Sequence, residues 1–95
     1  MKIIMNGYAG TFAENKDIAR EVRERFIKPQ LAKNREEKIV LDFKDVDSST
    51  QSFIHALLSG FFQRYKEEAL DFFEFKNCNK AIKSLITTVI NYSLE

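Results

Sequence analysis

The sequence predicts a single α/β domain in the order β-α-β-α-β-α, with a mostly parallel or mixed central sheet covered by helices. Three observations predict it. Ile39-Val40-Leu41-Asp42-Phe43 is a compact β-branched and aromatic run, Leu70 to Phe75 alternates Leu70 and Phe72 with Phe73 and Phe75, and Lys2 to Asn6 is a shorter, mostly apolar run. Longer segments between and after these runs repeat apolar residues every three or four positions, the period of a helix. Strands alternating with helices imply right-handed crossovers, hence parallel pairing.

Taken in order, Lys2 to Asn6 enters a loop at Gly7 and Gly10 that continues through Thr11 to Asn15, where glycine can supply unusual backbone angles. From Lys16, the residues Ile18, Ala19, Val22, Phe26 and Ile27 mark an amphipathic helix, supported by Glu21 four before Arg25 and Glu24 four before Lys28. Pro29 removes a backbone donor, so this helix either ends near Lys28 or kinks and runs on to Leu31. Lys33 to Lys38 is a solvated connection into Ile39 to Phe43, a strand expected at the centre of the sheet with both faces buried.

Asp45 to Thr50 gathers turn and capping residues, after which Phe53, Ile54, Leu57, Leu58, Phe61, Phe62 and Tyr65 form the broad stripe of a mostly buried helix. Ser48 with Gln51 fits a capping box, and Ser49 or Thr50 would serve nearly as well. Leu70 and Phe72 alternate with Phe73 and Phe75, as in a strand occupied on both faces. Asn77 to Asn79 turns the chain, and Ala81, Ile82, Leu85, Ile86, Val89 and Ile90 complete a last helix. Phe62, Tyr65, Phe72 and Phe73 exceed what so small a core readily buries, so an exposed aromatic patch, including a homodimer interface, is expected among them.

Composition limits the function. A chain of 95 residues makes one domain, residues 1–95, that buries about 60 to 65% of its unfolded surface, which leaves little for a deep active site. Fifteen Lys and Arg against 14 Asp and Glu give a net charge of +1, with no overall field for nucleic acid or an anionic membrane. One cysteine excludes an internal disulfide and any multi-cysteine metal site. With no signal-like start and no long apolar run, the expected location is the cytoplasm. Leu94-Glu95 is read as a cloning remnant and given no role.

Candidates for chemistry are few, and no cofactor is expected. His55 is the only imidazole, on a helix face it shares with Ser59 and Phe62; one histidine makes no triad, and with no base and orienting group in view a structural or solvated role is expected and the chain is not read as an enzyme. Cys78 precedes the last helix, whose dipole could lower a thiol pKa, although packing is the commoner role of a lone cysteine. Asp42, Asp45 and Asp47 end or follow the central strand, where open α/β sheets place ligands; magnesium is one reading and local turn hydrogen bonding the stronger one. Gly7 and Gly10 lack the spacing of a phosphate loop. Arg20, Arg23, Arg25 and Lys28 are interleaved with Glu21 and Glu24, as on a solvated helix face.

The most informative segment is Leu41-Asp42-Phe43, two residues, Val46, then Ser48-Ser49-Thr50-Gln51-Ser52-Phe53. It resembles the STAS domain, the fold of anti-sigma factor antagonists, and more closely the uncharacterised STAS-like domains, whose central motif has this form. The motif covers residues 41 to 53, and the order and length of the other elements agree along the chain.

The resemblance implies a protein-binding regulatory module, because the STAS turn carries Asp-Ser-Ser-Gly and its first serine is phosphorylated by a partner kinase. Counted from Val46, Ser49 stands at the aspartate position, Thr50 at the phosphoserine, Gln51 at the second serine and Ser52 at the glycine. Only a hydroxyl survives. Asp45, Asp47, Ser48, Ser49, Thr50 and Ser52 are therefore the candidate partner-binding or phosphorylated residues, and the partner implied is a kinase-like ATPase. A small-ligand or nucleotide sensor using the same strand ends is the alternative.

Overall fold

In the computed structural model, which describes all residues from Met1 to Glu95, the elements run β1 (Lys2–Ile4), α1 (Met5–Ala9), β2 (Phe12–Ala13), α2 (Lys16–Val22), α3 (Lys28–Lys33), β3 (Ile39–Asp42), β4 (Ser48–Ser49), α4 (Gln51–Tyr65), β5 (Phe73–Lys76) and α5 (Lys80–Leu94). A π-helical segment, Arg23–Ile27, joins α2 to α3, and a 3-10 helix, Lys66–Asp71, joins α4 to β5.

The main sheet is parallel, in the order β1-β3-β5, so the Ile39 run does take its centre. Register places Ile3 beside Leu41 and Leu41 beside Phe75 on one face, and Lys2, Val40 and Glu74 on the other. Ile3, Ile39, Leu41 and Phe73 are buried, whereas Lys2, Ile4, Glu74 and Lys76 are exposed. Helices thus cover the sheet on one side only: the expectation that β5 is buried on both faces is wrong, since Glu74 and Lys76 are exposed, whereas central β3 comes close to it, with Asp42 buried and Val40 half-buried. The reason lies in the helices: α4 packs against both α2 and α5, so the two crossovers and the C-terminal helix form a single layer. On the open side only Asp42 is buried, through contacts described below.

Helix α2 continues through Pro29 to Lys33. The chain widens into a π turn immediately before the proline, where the missing N–H would interrupt the regular ladder, so the helix absorbs the residue without breaking. At the other end of α4, Lys66 takes a positive φ of 56° and turns the chain into the 3-10 segment. Leu70 falls in that segment and is 48% exposed, so the strand begins at Phe73, three residues later than its apolar alternation predicts.

The supposedly surplus aromatics are inside. Phe62, Phe72 and Phe73 are at most 4% exposed, and Tyr65 lies half-buried, edge-on to Phe72 at 5.3 Å. Phe73 accounts for the capacity, since its ring meets Phe61, Phe62 and Phe75 at 5.8, 6.0 and 6.1 Å. The large exposed rings are instead Tyr8, Phe12 and Tyr92. Two short features escaped the sequence pattern: α1, anchored by fully buried Met5 and ended by Gly10 at φ 73°, and the parallel pair β2-β4, which brings Phe12 beside Ser48.

Candidate functional site

All three strands of the main sheet point their carboxyl ends at one rim, where β1 leads to Asn6, β3 to Asp45 and β5 to Asn77 and Asn79. Phe43 and Val46 are buried, and Val46 N donates to Phe43 O at 3.0 Å, which closes a tight turn whose outermost residue, Asp45, adopts φ 64°. Aspartate tolerates this left-handed region better than most residues.

The backbone of the turn is held from three directions. Asn6 Nδ2 donates to Asp45 O at 2.9 Å, and Asn79 Nδ2 donates to Asp47 O at 2.7 Å. Asp47 N and Ser48 N donate to Thr11 O at 2.8 and 3.3 Å, and Thr50 N donates to Ala13 O at 3.0 Å. Two hydroxyls are also committed to structure. Ser49 Oγ donates to Ala13 O at 2.9 Å, and Thr50 Oγ1 accepts from Phe53 N at 3.1 Å, which makes Thr50 the cap of α4 in place of the Ser48 and Gln51 box.

What remains unused is informative. Asp45, Asp47, Ser48 and Ser52 are exposed, and their side chains make no hydrogen bond or ion pair within the molecule, while Ser49 and Thr50 are half-buried and engaged. The six candidates therefore divide into four free side chains on the rim and two hydroxyls that hold it in place.

Asp42 lies behind this rim, only 4% exposed. Its Oδ1 accepts from Asn77 Nδ2 and Lys44 N, both at 2.9 Å, and its Oδ2 lies 3.4 Å from Lys2 Nζ. The Asn77 amide first, then the Lys44 amide and the Lys2 ammonium, hold its carboxyl below the usual range. The same contacts pin Asn77 at φ 56°. Asp42 is thus a latch between two strand ends. No three side chains of the His, Cys, Asp or Glu type gather as a metal cluster.

His55 is exposed on α4, with Nδ1 3.4 Å from Ser59 Oγ. Cys78 is half-buried against the core, and burial pushes its thiol up, with the Asp42 charge adding and Lys83 opposing. That direction accords with the packing role and is opposite to the lowering that the α5 dipole could supply. Much of the basic stripe is solvated and paired, Arg20 with Asp17, Arg25 with Glu21 and Lys28 with Glu24. Sequence reasoning missed that Arg23 and Lys28 also face Arg35 and Arg64 across a groove between α3 and α4.

The geometry defines a class: a parallel α/β domain whose exposed chemistry sits on a rigid strand-to-helix turn at the sheet's carboxyl rim. Residues 19–83 match the family described as a STAS-like domain of unknown function (DUF4325), and the chain belongs to that family. The matched stretch runs from α2 into α5 and includes the whole turn. No curated protein and no solved structure matches the chain. No helix is long and apolar enough to cross a membrane.

Proposed function

We propose that the domain is a non-catalytic docking module that meets a partner protein through the turn at residues 45–53. The observation that carries this reading is the division of labour on the rim: its backbone is fixed by Asn6, Asn79 and Thr11, while the side chains of Asp45, Asp47, Ser48 and Ser52 are spent on nothing inside the molecule. Rigid presentation of free polar groups lowers the entropy lost on association. The partner class implied by the STAS resemblance is a kinase-like ATPase.

Phosphorylation fits Ser48 or Ser52 better than Thr50. Both serines are exposed with free hydroxyls, whereas the Thr50 oxygen caps α4. A phosphate on Ser52 would lie in the first turn of α4, whose dipole favours it, at a groove that also holds Lys16 and Arg20. The ligand-sensor alternative draws no support from Gly7 and Gly10, which lie inside α1 and at its end and so do not cradle an anion at the start of α2.

The test is a pull-down from native extract with wild-type, Asp45→Lys/Asp47→Lys and Arg25→Gln baits, read by mass spectrometry. The expected result is an ATPase or kinase-like protein recovered by wild type and Arg25→Gln but lost by the double variant, with any bait phosphate on Ser48 or Ser52. Partners recovered equally by all three baits would remove the turn from the interface.

A further inference from the structure

A groove of about 680 Å³ separates α3 from α4, and the charged residues lining it are all cations: Arg23, Lys28, Arg35 and Arg64. Buried Leu31 and Phe61 form its floor, and exposed Ala32 and half-buried Tyr65 supply the accessible apolar lining. The guanidinium groups of Arg35 and Arg64 lie over the Tyr65 ring at 4.7 and 5.2 Å, and Arg35 Nη2 also donates to Tyr65 Oη at 3.4 Å. Neither guanidinium forms an ion pair; Glu24 pairs only with Arg23 and Lys28. Arg23 is further fixed by donating to Ala56 O at 3.0 Å. Two guanidinium forks are thus preorganised on one ring with most of their donors unspent.

Gly60 is the second observation. It lies on the groove in the interior of α4, its φ is not positive, and a Cβ built there meets nothing within 4 Å. Neither backbone conformation nor packing requires glycine, which weakens a helix interior relative to alanine. What the missing side chain does provide is room at the centre of a cationic groove.

We propose that this groove receives an acidic segment of a partner protein, with carboxylates on Arg35 and Arg64 and an apolar side chain against Ala32 and the accessible part of Tyr65. A peptide fits better than a nucleic acid. The apolar lining suits side chains that a phosphate backbone lacks, the Tyr65 ring already carries guanidinium groups where a base would stack, and a net charge of +1 provides no field for a polyanion. None of the candidate residues on the 45–53 turn lines this groove, so the two surfaces stand or fall separately.

Fluorescence anisotropy with a short labelled peptide of alternating glutamate and leucine tests the proposal, with an all-glutamate peptide and an oligothymidylate of matched charge as competing probes. Saturable binding is expected for the alternating peptide, tighter than for either competitor and weakened by salt. Arg64→Gln and Arg35→Gln each weaken it about tenfold, the scale of a lost charge-assisted hydrogen bond. Gly60→Glu abolishes it by placing a carboxylate on the forks, and Gly60→Leu weakens it by filling the room the glycine leaves, while Arg25→Gln, outside the groove, retains it. Circular dichroism confirms that each variant is folded. Absence of saturable binding, equal or tighter binding of a competitor, or a loss in Arg25→Gln as large as in Arg64→Gln overturns the proposal.

Discussion

Replacing Thr50 separates its structural role from any regulatory one. Its Oγ1 accepts from Phe53 N at 3.1 Å and is the only side-chain cap of α4, the helix that packs against both α2 and α5. Losing such a cap costs about 1 kcal/mol, within a range of about 0.5–2. Unfolding entropy of about 2.1 cal/mol/K per residue over 95 residues comes to about 0.2 kcal/mol/K, so Thr50→Ala should lower Tm by about 5 °C. Thr50→Ser keeps the oxygen and should stay close to wild type. Ser52→Ala removes a hydroxyl with no internal partner and should change stability by less than about 0.5 kcal/mol. Thermal melts followed by far-ultraviolet circular dichroism provide the assay. An unchanged Tm in Thr50→Ala, or an equal fall in Ser52→Ala, refutes the assignment of the cap. If the assignment stands, Thr50→Glu removes the cap as it adds charge, so weaker partner binding by that variant is no evidence for phosphorylation.

Gly60→Ala should stabilise the domain by about 0.5–1 kcal/mol, seen as a higher urea midpoint at unchanged m, because the added methyl enters open space. Asp42 makes stability depend on acid. Its folded carboxyl is held below its ordinary value, so its contribution is present above the unfolded pKa of about 3.9 and lost as pH falls through the folded value. Urea midpoints measured across that range should fall less steeply in Asp42→Asn, with a residual slope from Glu37 and Glu24, whose carboxyls are also lowered; an unchanged slope contradicts the latch. Cys78 should react with iodoacetamide more slowly in the native protein than in the urea-unfolded chain, since burial raises its thiol, and equal rates by mass spectrometry would count against that burial.

Periodicity made the three long helical segments and the central strand legible, because their apolar residues face a single core. It failed where a short apolar run had a different reason to be apolar. Leu70 belongs to the alternation only by composition; after Lys66 turns the chain through φ 56°, the segment anchors itself with buried Ala69 and leaves Leu70 outside. Val40 and Asp42 read as core because they sit in an unbroken strand, yet their face of the sheet carries Lys2, Glu74 and Lys76. One layer of helices cannot be told from two by the strand sequence alone when the open face is partly apolar. α1 was hidden for another reason: five residues, one of them Gly7, are too few to show a helical period.

For the candidate site, the residues on the turn were visible and the residues that hold it were not. Asn6, Asn77 and Asn79 look like ordinary turn formers, yet each sends its amide to a group 32 to 39 positions away, two of them to backbone carbonyls that any sequence supplies. Such bonds leave no mark on the acceptor's identity, so no motif records them. Their consequence is nonetheless specific. Because the asparagines come from the ends of β1 and β5, the central turn keeps its shape only while all three strands are in register, and the presentation of Asp45 and Asp47 is coupled to the folding of the whole sheet. Asn79 also caps α5 by accepting from Ile82 N at 2.9 Å, and Asn77 holds Asp42, so Asn6 is the amide whose substitution should disturb the rim before the core, which ties the proposed docking surface to a position off the turn.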